Sequence, residues 1–154
     1  MKTRTIVLTV VVCFLAVTLG YAADAFTGTW KLNEAKSKLA AGTAKNSKVV
    51  YENVGDKVKV TIDGTGGDGK PMHNEWTGKW DGKDYPVTGD PTSDMRSVKK
   101  VDDRTLTFTV KKGAKTLATG KVVVSADGKT RTVTAESTDT KGNKVSNTAV
   151  YDKQ

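Results

Sequence analysis

The sequence predicts an all-β protein, an up-and-down antiparallel β-barrel of about 8–10 strands. From Phe26 onward the chain has 19 threonines and 15 valines but only 4 leucines. This bias toward branched side chains favours pleated sheet over helix. Apolar and polar residues alternate with a period of two, as in Leu106, Phe108 and Val110, which are separated by threonines. Such alternation is typical of strands with one face in water.

Turn-forming residues divide the chain into ten short segments that follow one another in sequence. Pairs such as Asp81-Gly82 and Asp127-Gly128 suit tight hairpin turns, which require a positive φ. The predicted strands span residues 27–32, 47–54, 57–63, 71–79, 83–88, 94–101, 104–112, 115–125, 129–138 and 143–152. Closing the sheet would remove its two edges and create an interior. A two-sheet sandwich is the main alternative, but it needs long crossovers that these short turns do not provide.

Residues 33–42 interrupt the strand pattern directly after the first strand. This segment contains helix-forming residues and ends at Gly42. These features predict a short helical segment that covers one mouth of the barrel. A disordered loop is the alternative.

Residues 1–25 have the organisation of a secretory signal peptide. Lys2 and Arg4 precede an apolar run over residues 5–20, and small residues follow. The run is short for a membrane span, which needs about 20 residues. Cleavage after Ala25, or alternatively after Ala22, predicts an exported protein that is periplasmic or secreted, with one barrel domain over residues 26–154. An uncleaved membrane anchor is the alternative.

The only cysteine, Cys13, lies inside the predicted signal peptide. Cleavage would therefore leave no disulfide, no thiol nucleophile and no cysteine metal site. The net charge of +8 comes from basic residues spread along the chain. This distribution predicts a solvated, soluble surface, and weak association with an anionic surface is the alternative. We expect a monomer. Few aromatic residues accompany the basic ones, which argues against nucleic-acid binding.

The first strand carries the motif Gly28-Thr29-Trp30. The glycine would let backbone pass close by, and the indole is a large apolar plug whose N–H needs an acceptor. The motif resembles the Gly-x-Trp of the lipocalin and fatty-acid-binding superfamily. Residues 81–87 and 149–153 are similar to segments of small bacterial lipocalin-like exported proteins. The resemblance implies a barrel that holds a small apolar ligand, with Trp30 closing its base. It also implies a basic residue over that indole, for which Arg131 is the candidate.

Several side chains on different strands could line the interior of a closed barrel. The candidates for a ligand site are Tyr51, Trp76, Tyr85, Arg96, Phe108 and Tyr151. Arg96 would meet a ligand carboxylate. Asn147, Thr119 and Ser137 are also expected on inner faces, where they fill space poorly and so favour a cavity. The alternative is that the aromatic residues simply fill a small core.

These features predict a binding protein for a small hydrophobic or amphipathic molecule, such as a fatty acid. The alternative is a filled barrel that acts as an envelope or protein-interaction module through the basic hairpin at residues 111–115. An enzyme is not predicted. His73 is the only histidine, and its neighbours supply neither metal-ligand spacing nor a catalytic triad. No cofactor and no metal are expected.

Overall fold

The computed structural model describes residues 24–138 and 143–154, and within them it forms a closed barrel of ten antiparallel strands. Each strand pairs with the next in sequence, and the last pairs with the first, which confirms the predicted all-β up-and-down barrel. The strands are β1 (Gly28–Leu32), β2 (Lys45–Val54), β3 (Lys57–Thr65), β4 (Pro71–Gly78), β5 (Asp81–Thr88), β6 (Met95–Asp102), β7 (Thr105–Lys112), β8 (Lys115–Val124), β9 (Thr130–Thr138) and β10 (Lys144–Lys153).

The predicted signal peptide lies outside the described residues except for its last two positions, 24 and 25. In the part of the chain that the structure describes, no helix is long and apolar enough to span a membrane.

The helical segment predicted for residues 33–42 is a single 3₁₀ turn, Glu34–Lys36. Contacts with β10 end it. The backbone N–H of Val150 donates to the Ser37 hydroxyl at 2.9 Å, and Lys38 exchanges two backbone hydrogen bonds with Thr148. Pairing with β10 thus replaces the further helical turns that the local sequence favours.

Strand register places the alternating apolar residues inside the barrel. Val58, Val60 and Ile62 are all buried on β3, as the period-two pattern predicts. Thr119 is an exception to the expected inner set. It pairs with Thr109 and Glu136, whereas its neighbour Gly120 lies opposite the inward-facing Phe108. Thr119 therefore faces outward, because side chains alternate along a strand.

Hydrogen bonding between β4 and β5 is sparse compared with the rest of the barrel. The two strands are in register only at Glu75 with Thr88 and at Trp76 with Val87. By contrast, β3 and β4 are paired at eight positions. The β4–β5 seam therefore has the fewest paired positions among the described strands, followed by β1–β10 with three.

One end of the barrel is closed by a floor of packed aromatic side chains. Phe26 and Trp30 are both 0% exposed. The Trp30 indole N–H donates to the Phe26 carbonyl at 2.8 Å, and the Phe26 ring packs edge-on against Trp80 at 5.2 Å. Gly28 belongs to this floor for a different reason from the one expected. Its φ of +119° favours glycine, and a Cβ at this position would lie nearest to Cε of the Lys153 side chain, not to backbone.

A cavity above the Trp30 floor

A cavity of about 140 Å³ lies inside the barrel and is partly open. Its walls are mostly aliphatic and aromatic. Five of the six predicted lining residues do line it, namely Tyr51, Trp76, Arg96, Phe108 and Tyr151. They come from β2, β4, β6, β7 and β10, so closure of the barrel is what brings them together.

Tyr85, the sixth predicted residue, is not among the residues that line the cavity. Its hydroxyl donates to Asp81 at 3.0 Å. Its ring packs edge-on against Trp76, with the two centroids 6.0 Å apart. Gly78 makes this packing possible, because a Cβ there would come within 2.7 Å of the Tyr85 ring. Tyr85 therefore supports a cavity wall instead of forming one.

Arg131 lies over Trp30 and also lines the cavity. Its guanidinium carbon is 5.5 Å from the Trp30 ring centroid, 5.3 Å from that of Tyr51 and 4.2 Å from that of Tyr151. Arg131 is only 2% exposed. Three aromatic faces therefore hold a buried cation between the floor and the empty space above it.

The polar atoms of Arg131 are incompletely satisfied. Its Nε and Nη1 atoms are buried and have no hydrogen-bond partner among the described residues. Leaving a buried charged donor without an acceptor is unfavourable. The guanidinium beside the cavity therefore has unused hydrogen-bonding capacity.

Arg96 lies on a second wall, and its surroundings are also largely apolar. Burial lowers the pKa of Arg96 from its ordinary value. One of its terminal nitrogens, Nη2, donates to the side-chain oxygen of Asn74 at 3.5 Å. Asn74 is itself buried, and no sequence pattern marks it as a site residue.

The Tyr151 phenol makes a pH-dependent contribution to stability. Burial raises the pKa of Tyr151, and the positive charge of Arg131 partly offsets that rise. Because the folded pKa exceeds the unfolded value of about 10, this contribution is complete below pH ~10 and is lost as the pH rises through the folded pKa.

We expect the free energy of unfolding to fall less steeply above pH ~10 in Tyr151→Phe than in the wild type. Urea denaturation at a series of pH values would measure the free energy of unfolding of both proteins. If the two free energies fell in parallel as the pH rises, the Tyr151 phenol would make no such contribution.

Gly120 shapes the cavity by leaving room for the Phe108 ring. A Cβ at position 120 would lie 2.4 Å from Cζ of Phe108 and 2.5 Å from the Thr134 carbonyl oxygen. We expect Gly120→Ala to lower the free energy of unfolding by about 1–3 kcal/mol, because the ring and the β9 backbone must both shift. Chemical denaturation would measure this loss.

The control for Gly120→Ala is the same substitution made in a Phe108→Ala background. Removing the ring relieves one of the two clashes, so Gly120→Ala should be less destabilising there. Strictly additive effects of the two substitutions would show that the ring does not occupy the space beside Gly120.

The aliphatic part of the lining was not predicted as site residues. It consists of Val49, Val60, Ile62, Val98, Leu106, Val110, Val122 and Val133. Strand alternation marks these positions as inward-facing, but it does not show which of them border empty space. Asn46, near the start of β2, adds a polar amide to the lining.

The other candidate features of the sequence lie on the surface. His73 pairs with Asp63 at 2.6 Å, and both side chains are exposed. Among the described residues, no group of three or more His, Cys, Asp or Glu side chains is arranged to hold a metal ion. In the basic hairpin, Lys111 is bonded to Asp84 at 2.7 Å and Lys112 to the Pro91 carbonyl at 3.4 Å.

Comparison with known proteins gives structural neighbours only. No protein-family model matches the chain, and no curated protein matches it. One solved structure, EF1p2_mFAP2b bound to DFHBI, shares 12% identity with a TM-score of 0.49 and covers 86% of this chain and 97% of its own. A redesigned β-barrel, mFAP1 bound to DFHBI, shares 16% identity with a TM-score of 0.44 and covers 86% and 98%. The assignment of this chain as a barrel rests on its own strand pairing.

Proposed function

We propose that this protein is an exported, lipocalin-like binding protein that holds a small hydrophobic or amphipathic ligand inside its barrel. The observation that carries the proposal is the 140 Å³ cavity above the closed floor. Binding sites typically combine apolar and aromatic walls with a few polar groups that orient the ligand. This cavity has such walls, and Arg96 and Arg131 supply the charged groups.

Export is proposed from the order of residues 1–25, in which a charged segment precedes an apolar run and small residues. The Gly-x-Trp motif and the floor built on Trp30 support the lipocalin-like part of the proposal. Binding without catalysis is proposed because the cavity lining contains valines, aromatic residues and two arginines, but, among the described residues, no histidine or carboxylate to act as a general base.

The volume of the cavity limits the size of the ligand. Pockets for drug-sized molecules measure about 300–1,000 Å³, and this one is smaller. The alkyl chain of a long fatty acid would therefore extend beyond the enclosed space. A single ring or a short chain fits the volume better than a long fatty acid does.

Thermal denaturation with a panel of small aromatic and short-chain compounds tests this function. A ligand present at 100 times its Kd stabilises the folded state by about 2.7 kcal/mol. For a domain of this size, this should raise the Tm by at least about 5 °C. If no compound in the panel changes the Tm, the cavity is not a binding site for this class of ligand.

Two neighbouring valines on β8 provide a matched control. Val122 is buried and lines the cavity, whereas Val123 faces outward and is 37% exposed. We expect Val122→Phe to abolish the ligand-induced rise in Tm by filling the cavity, and Val123→Phe to retain it. Equal loss in both variants would indicate a site elsewhere. If both variants kept the ligand-induced rise in Tm, the result would favour a filled barrel that acts through its surface.

A further inference from the structure

The charge of the cavity lining is one-sided. Arg96 and Arg131 both line the cavity, and none of the described residues that line it is acidic. Charges interact more strongly in a partly buried, low-dielectric space than in water. The interior therefore favours a ligand that carries negative charge over a neutral ligand of the same shape.

The Arg131 guanidinium is fixed in position, and some of its donors are unused. The Trp30, Tyr51 and Tyr151 rings surround its guanidinium carbon at 4.2–5.5 Å. Its buried Nε and Nη1 atoms find no acceptor among the described residues. An anionic oxygen that came into contact with the guanidinium would supply that acceptor through a charge-assisted hydrogen bond.

The walls and the volume indicate what the rest of the ligand is. A cavity of about 150 Å³ in an apolar protein core is known to hold one benzene molecule, and this cavity measures about 140 Å³. Aromatic rings at Tyr51, Trp76 and Phe108 form part of its walls. Aromatic pairs are favourable beyond the area they bury. One planar ring with one acidic substituent matches these dimensions and contacts.

We propose that the cavity binds small aromatic monocarboxylates, with the ring between the aromatic walls and the carboxylate on Arg131 at the floor. The inference rests on the proposed function and narrows it to one class of ligand. Arg131 then has two roles, since it covers the Trp30 indole and also recognises the anion. Arg96 lies on the wall and adds to the positive potential of the cavity.

Calorimetry of the full folded protein with benzoate and two neutral analogues, benzamide and benzyl alcohol, tests the charge requirement. Hydrogen bonds to a charged group predict about tenfold or greater preference for benzoate. If either neutral compound binds as tightly as benzoate, the anion inference is wrong while the proposed function stands. If none of the three binds, and the wider panel also fails to raise the Tm, both are wrong. This comparison uses the wild-type protein and does not depend on whether any variant folds.

Variants then test which arginine receives the carboxylate. Arg131→Met should weaken benzoate binding about tenfold to a hundredfold and leave the neutral analogues nearly unchanged. Arg104→Met is the matched control, because Arg104 is exposed and does not line the cavity. Full benzoate affinity in a folded Arg131→Met, with loss only in Arg96→Met, would overturn the assignment to the floor. Octanoate binding more tightly than benzoate would overturn the assignment of an aromatic ligand.

Discussion

Trp30→Ala should lower the free energy of unfolding by about 3–5 kcal/mol, the range for removing a fully buried aromatic side chain. Trp30 is 0% exposed, and its indole N–H donates to the Phe26 carbonyl. Its ring also lies 5.5 Å from the guanidinium carbon of Arg131. The substitution removes packing, one hydrogen bond and one of the faces that hold a buried cation. Urea denaturation with linear extrapolation would measure the loss.

Two further substitutions on the same strand separate the contributions of Trp30. Trp30→Phe keeps a ring but removes the N–H donor, so we expect an intermediate loss that includes about 1 kcal/mol for the hydrogen bond. Lys31→Ala changes the next residue, which is exposed, and should alter stability by no more than about 0.5 kcal/mol. A Trp30→Ala protein as stable as Lys31→Ala would contradict the structure of the floor.

The strands could be predicted from the sequence because their inner and outer faces differ in composition. Val58, Val60 and Ile62 are buried on one face of β3, and the residues between them are polar. The segment at 33–42 could not be predicted in the same way. Its local composition favours helix, whereas Ser37 and Lys38 bond to β10, more than 100 positions away in the sequence. Long-range pairing of this kind leaves no periodic signal.

The candidate site was predictable only in part, for similar reasons. Large aromatic residues at the apolar positions of strands with a period-two pattern are expected to face the interior. Tyr51, Phe108 and Tyr151 could therefore be identified from the sequence. The prediction for Thr119 is wrong because the run of valines at 122–124 does not show which of its members face inward. Tyr85 does not line the cavity. Its hydroxyl bonds to Asp81 at the start of the same strand, where the pairing with β6 is irregular between Asp81 and Asp84, and strand alternation does not report such an irregularity.

The existence and size of the cavity depend on how the side chains pack, which alternation does not report. Gly120 is an example. It lies on β8 opposite Phe108, and the Phe108 ring occupies the space that a Cβ at position 120 would fill. The unused donors of Arg131 are likewise a property of three-dimensional packing. The sequence predicts that this arginine covers the Trp30 indole. Only the structure shows that its Nε and Nη1 atoms find no acceptor among the described residues.

Trp76→Ala is expected to be about as destabilising as Trp30→Ala, with a loss of about 3–5 kcal/mol, but its effect should be concentrated elsewhere in the barrel. Trp76 is 1% exposed, and its indole N–H donates to the Arg96 carbonyl of β6 at 2.9 Å. It thus connects β4 to β6 across β5, at the seam where β4 and β5 are in register at only two positions. Removing it should loosen β5 in particular.

Amide hydrogen exchange distinguishes a local opening of this seam from a general loss of stability. Trp76→Phe keeps most of the packing but loses the bond to β6, so β5 amides should exchange faster while β8 and β9 amides change little. Thr77→Ala, at the exposed neighbouring position, should leave exchange at the seam unchanged. Faster exchange spread evenly over all strands in Trp76→Phe would mean that the seam does not open by itself. Selective exchange would instead identify β5 as the part of the wall that can move while the Trp30 floor stays closed.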